Sequence, residues 1–242
     1  QAENPKIPKK VDSVISEGLK AVHAVEELSR AGFDNYYLSH ILSSGALGKK
    51  ENRKLVPTRW GITATDDMLG KQMLEEVRDF PEIGEFLLFR NEFLYNRFFV
   101  ILMPGAWEFE NFESWAPESV WAKGAKDTIT TEEYEPHEGR TTYADKQVGA
   151  YYAVRLAIAE HLQKMRRQAR AVVIREIGEG YIIPVGVWEV RENVRHALLS
   201  VPERFGSLQE LFTTLSSYVR VPLSRYQSMS KIMRQTRLRD FF

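Results

Sequence analysis

Three features of the sequence predict an α+β fold. Apolar residues recur at helical spacing over 11–30, where Val11, Ile15, Leu19, Val22, Val25 and Leu28 share one stripe, and again over 146–167, with Val148, Tyr152, Leu156, Ala159 and Leu162. Between them lie runs rich in Phe, Leu, Val and Ile at 85–89 and 97–103, the composition of strands. Pro104-Gly105 then supplies a turn before a third run at 107–112. The expected body is an antiparallel sheet, a meander, flanked by helices, with a helical C-terminal region and an extended tail.

The elements follow in order. Residues 1–10, with two prolines and three lysines, read as an extended lead-in. The helix over 11–30 is expected to stop at Gly32, and a shorter one over 35–44 at Gly45. Residues 49–62 are basic, contain proline and read as irregular. Thr65 or Asp66 then caps a helix to about Phe80, which Pro81 closes. After the strands, 114–145 is an acidic, turn-rich stretch carrying Pro117, Pro136 and Gly139, and reads as a long loop. Residues 171–177 form a continuous apolar run, the mark of a buried strand, and helices are expected over 188–199, 208–218 and 223–234. The division expected is one α+β domain over 1–234, with a helical part to 80 and a mixed part from 81, followed by a separate peptide over 235–242.

Composition narrows the classes of function. Lys+Arg and Asp+Glu both number 33, so affinity for nucleic acid would have to come from local patches. Charge is uneven: 105–140 holds nine acids against three bases, and 220–242 holds six bases against one acid. With no cysteine there is no disulfide framework and no thiolate metal site in these residues. No apolar run approaches the length of a membrane span, and the first residues lack the apolar core of a signal peptide, so a cytoplasmic location with no membrane partner is expected. A start at Gln1 rather than Met is expected of a piece of a longer chain.

The last eight residues carry the sharpest motif. Gln235, Leu238, Phe241 and Phe242 follow the pattern glutamine, two residues, aliphatic, two residues, two aromatics. Residues three apart eclipse in a 3₁₀ turn, so Leu238 and Phe241 would point the same way with Phe242 beside them, forming an apolar plug, and Gln235 could hydrogen-bond at a pocket rim. Burying Leu and two Phe is worth roughly 5–8 kcal/mol gross, and ordering a tail takes back roughly 2–5 kcal/mol. Micromolar binding is the expected result. Such a peptide suits a sliding clamp of the PCNA type, as a PIP motif. The bland alternative is a tail packed on its own domain, but by average residue usage the pattern arises by chance in roughly one window in ten thousand.

Several internal blocks share a further resemblance. Asn52-Arg53-Lys54-Leu55-Val56-Pro57-Thr58-Arg59-Trp60-Gly61-Ile62-Thr63, Asn91-Glu92 with Asn96-Arg97, Leu102-Met103-Pro104-Gly105-Ala106-Trp107-Glu108-Phe109, Gly149-Ala150-Tyr151-Tyr152-Ala153-Val154-Arg155-Leu156 and Val221-Pro222-Leu223-Ser224-Arg225 are similar to stretches of the archaeal Nre family of DNA repair proteins. The resemblance runs from about Gly18 to the end. It implies a part in the response to DNA damage and binding of PCNA through a C-terminal peptide. It also implies a cysteine zinc motif in a further N-terminal region. These residues hold no cysteine, so no cofactor is expected in them.

The remaining candidates each have a bland reading beside the functional one. Arg53, Arg59 and Trp60 precede the expected helix start at Asp66 and Asp67, where free backbone N–H groups and an aromatic ring suit a nucleotide; the bland reading is a capped helix with a surface ion pair. Asn96 and Arg97 are candidates from the shared blocks. Arg166, Arg167 and Arg170 cluster at a helix end and suit phosphate, or simply the helix dipole. Glu108 and Glu110 share a strand face and, with Glu92, Asp66 and Asp67, could form a nuclease-like catalytic cluster, against a reading as a solvated strand face; Glu189 is a further catalytic candidate. Glu189 and Arg191 lie near Arg175-Glu176 in an ion-pair network or a cleft. The five histidines, His23, His40, His137, His161 and His196, have no metal-ligand spacing, so no metal site is expected, and no phosphate loop or hydrolase motif is present. Two functions fit: a DNA repair factor docked on PCNA, or an enzyme acting on DNA or a nucleotide and tethered by the same tail. An enzyme would require these distant blocks to meet in one concave site.

Overall fold

The computed structural model describes residues 6–234, which fall into two compact units dividing between Met73 and Leu74. Gln235, Leu238, Phe241 and Phe242 lie outside the described residues.

The first unit is helical: α1 (Lys9–Glu17), α2 (Ala21–Arg30), α3 (Asn35–Ser43), a 3₁₀ turn over Lys50–Asn52, and α4 (Thr58–Val77), whose last residues belong to the second unit. The single helix expected over 11–30 is two, because Gly18 takes a left-handed conformation at φ 67° and ends α1. The expected stripe survives the break only in part: Val11, Val25 and Leu28 are buried, Ile15 and Leu19 are half-buried, Val22 is exposed, and Val14 and Ala24 are buried in addition. Asp34 caps α3, its Oδ1 accepting from the Tyr37 N–H at 2.7 Å. The expected start of α4 at residue 65 or 66 is corrected. The helix begins at Thr58, where the Pro57 carbonyl accepts from the Trp60 and Gly61 N–H groups, so part of the stretch read as irregular is helical.

The second unit is built on one six-stranded sheet: β1 (Phe86–Phe93), β2 (Asn96–Met103), β3 (Glu108–Trp115), β4 (Ile129–Glu135), β5 (Arg170–Ile177) and β6 (Glu203–Phe205). The strand order is β4-β3-β5-β2-β1-β6. β1 and β2 form the expected hairpin, but the meander stops there. β5 enters between β2 and β3, antiparallel to the first and parallel to the second. The long loop expected over 114–145 contains β4, paired antiparallel with β3. α5 (Gly149–Met165) crosses from β4 to β5, α6 (Val187–Leu199) follows β5, and α7 (Leu208–Tyr218) and α8 (Leu223–Met229) come last, α8 ending short of the expected 234 because Ser230 is extended.

Every residue of β5 is buried, as a central strand covered on both faces must be. Side-chain alternation sorts the sheet into two surfaces. Phe99, Ile101, Met103, Phe112, Val172 and Ile174 pack with Leu211, Leu215 and Tyr226 of α7 and α8. On the other face Phe109 meets Tyr151 of α5 at 5.2 Å, and α6 lies over β1 and β2. No helix among the described residues is long and apolar enough to cross a membrane.

Candidate functional site

The candidate residues are distributed over both units, and those of the second unit do not converge as a set. In the first unit, Arg53 is structural: its guanidinium donates to the backbone carbonyls of Gly48 and Ile15. Arg59 and Trp60 are exposed on the first turn of α4, the guanidinium 5.9 Å from the ring centroid. Asp66 is buried in the interior of that helix rather than capping it, and Asp67 pairs with Lys71 at 2.8 Å.

In the second unit, alternation parts two neighbours. Arg97 turns to the α7–α8 face, where it donates to Glu176 at 3.2 Å and to the Tyr218 carbonyl at 2.8 Å. Glu176 also accepts from the Arg220 and Val221 N–H groups and from Tyr226, so this cluster clamps the segment joining α7 and α8. Glu108 accepts from the Tyr134 hydroxyl at 2.9 Å, and Glu110 from Ser230 and from the Lys231 N–H at 2.6 Å. Arg170 is buried and donates to the Pro104 carbonyl at 2.9 Å. Arg166, in a left-handed conformation, and Arg167 stand exposed at the end of α5, the first with its guanidinium 5.5 Å from the Phe80 ring. In register Glu108 faces Arg170 while Glu189 bonds Arg175, so the two carboxylates are tied to β5 positions five residues, or roughly 17 Å, apart.

Asn96 and Glu189 do meet, through Arg175. The Arg175 guanidinium donates from Nε to Asn96 at 2.9 Å, from Nη1 to Glu113 at 2.7 Å and from Nη2 to Glu189 at 3.2 Å. Asn193 donates to the other oxygen of Glu189 at 3.1 Å. All five side chains are buried. Burial pushes the Glu189 carboxyl above its usual range, against the opposing pull of Arg175 and the Asn193 hydrogen bond. The arginine also lies 5.5 to 5.9 Å from the ring centroids of Trp115, Phe98 and Tyr181.

Glu113 and Arg175 form the charged floor of a cleft of about 470 Å³. Trp115 and Tyr181 wall it, with rings 6.5 Å apart, and Trp121 stands exposed at its edge. Two helices begin at its mouth. α5 starts after Val148, held at φ 45°, and α6 after Gly186, at φ 92°; neither start has a side-chain cap. Lys146 lines the same mouth, its ammonium bonding the Glu132 carbonyl at 3.1 Å and standing 3.9 Å from the carboxylate. An aromatic wall, uncapped helix starts and a lysine suit a flat ring that carries an anionic group. The sequence offered Glu189 and Arg175 as members of a network or cleft. It gave no signal for Glu113, Tyr181 or Trp121, which reach the cleft through a parallel pairing and loops that no local pattern specifies.

Comparison with known proteins shows the family of the chain. The N-terminal model of archaeal Nre matches residues 1–122, and the C-terminal model matches residues 135–241. The chain is 42% identical to DNA repair protein NreA of Haloferax volcanii, over 99% of its own length and 58% of that protein's. It is 40% identical to DNA repair protein NreA of Archaeoglobus fulgidus, over 100% and 60%, and 38% identical to DNA repair protein NreB of the same organism, over 98% and 60%. The chain thus spans about three-fifths of the length of the curated relatives it matches. No solved structure matches it. With both family models matched and three relatives similar from end to end of the chain, the protein belongs to the archaeal Nre family.

Proposed function

We propose that the chain acts in DNA repair and is brought to DNA by docking its C-terminal peptide on the sliding clamp PCNA. The relatives named as DNA repair proteins support the process. The observation that carries the tether is the pattern Gln235, Leu238, Phe241, Phe242, an apolar plug preceded by a rim glutamine. The basic residues Arg234, Arg237 and Arg239 beside it suit an acidic clamp surface or nearby DNA.

The test is calorimetric titration of the chain with PCNA, beside a variant carrying Phe241→Ala and Phe242→Ala. Binding at about micromolar strength or tighter is expected for the chain, and its loss for the variant. Equal binding by both proteins, or none by either, would remove the tether from this reading.

A further inference from the structure

We propose that the cleft over β3 and β5 is a nucleotide-binding site, taking a nucleobase against its aromatic wall and the attached phosphate at the starts of α5 and α6. This site lies in the folded body and is independent of the clamp tether.

Four observations fix the chemistry of the occupant. The cleft, about 470 Å³, falls within the roughly 300–1,000 Å³ of small-molecule sites. Its wall is aromatic, and Trp121, 66 % exposed, presents a ring where a second planar group can stack. Its floor presents an acceptor. Glu113 is buried, with Oε1 held by Arg175, and among the described residues no donor reaches Oε2. Oε2 is not among the buried side-chain atoms left without a partner, so it opens to the cleft as an acceptor that the amino and ring N–H groups of a base can serve. Arg175 cannot turn away to serve the occupant itself, because Asn96 and Glu189 hold its other nitrogens. The mouth attracts an anion: the N-termini of a 17-residue helix and a 13-residue helix open there without side-chain caps, with Lys146 between solvent and cleft. A purely apolar ligand would leave the floor unsatisfied, and an inorganic anion would leave the rings bare.

A nucleotide can come free or as an unpaired residue of a strand, whose base is swung out of the stack. The experiment therefore has two arms, both run on the chain carrying Phe241→Ala and Phe242→Ala, so that the tether plays no part. Tryptophan fluorescence is followed while adenosine 5′-monophosphate, adenosine or a single-stranded deoxyadenosine 12-mer is added. Saturable quenching is expected, weaker for adenosine than for its monophosphate. Trp121→Ala should weaken binding roughly five- to a hundredfold, the worth of one stacked base. Lys146→Ala should weaken the monophosphate and leave adenosine unchanged. Both side chains are exposed, so neither change threatens folding. Binding of the monophosphate identifies a free nucleotide as the occupant, and binding of the 12-mer alone identifies a strand. Absence of saturable binding by either at millimolar concentration, or binding indifferent to both substitutions, would overturn the proposal.

Discussion

Arg175 shows how one side chain can hold a site together. Its guanidinium satisfies Glu113 and Glu189 at once, on the floor of a cleft and out of bulk water. Replacing it with methionine keeps the stem and removes the charge, leaving two buried carboxylates facing one another. The expected loss is about 3–5 kcal/mol of folding free energy, read as a lower urea midpoint, with partial recovery when Glu189→Gln is added. Glu110 makes a different prediction. Burial pushes its carboxyl up to about 7, although Ser230 and Lys231 donate to it. Between the ordinary carboxylate value of 4.5 and about 7 the folded chain holds a proton that the unfolded chain has released. Stability should therefore fall as pH rises through that window, by at most about 3 kcal/mol from this group. Urea unfolding at pH 5 and pH 8 should show the decline, and Glu110→Gln should flatten it. The sequence placed Glu108 and Glu110 correctly on one strand face, but as possible partners. Each proves occupied by its own donor, because what faces a strand residue is decided by the layer packed over it.

At the scale of elements, local signals were read well where they depend on near neighbours. The helices over 35–43, 149–165, 187–199 and 208–218 and the strand over 170–177 follow from spacing, caps and β-branched runs. Helix boundaries departed from expectation at a glycine and a proline, and β4 lay inside a stretch expected to be a loop. Gly18 broke one expected helix into two, and Pro57 started another eight residues before the expected cap. Gly45 gives a test of the same physics. It follows α3 at φ 74°, and a Cβ there would lie 2.6 Å from the Lys54 carbonyl oxygen, a backbone atom with little room to yield. Gly45→Ala should cost roughly 2–4 kcal/mol locally, from left-handed strain and the clash together. Faster amide exchange over 35–62 would show it, with exchange in the β5 amides unchanged.

Over the whole molecule, the body carries its own anchor for the tail. Ile232 and Met233 are buried in the core beneath α7 and α8, and Ser230 and Lys231 are tied to Glu110 on β3. Deleting residues 230–242 should lower the thermal midpoint by something on the order of 10 °C, since two large apolar side chains and both Glu110 donors leave together. Phe241→Ala with Phe242→Ala changes none of the residues 230–233. A clamp-binding defect in that variant at an unchanged midpoint would separate tethering from folding. By itself the sequence determined the α+β class, most helices, the buried character of β5 and the tail motif, because helical and strand periodicity and an eight-residue pattern are carried by residues close together in the chain. Only the tertiary structure decided that β5 separates β2 from β3 and that Arg97 and Asn96 serve opposite faces. It alone brought Glu113, Arg175, Tyr181 and Trp121 to one cleft. Those outcomes depend on which strand can be covered on both faces and on how a crossover helix returns the chain, and both are settled by burial over the whole sheet.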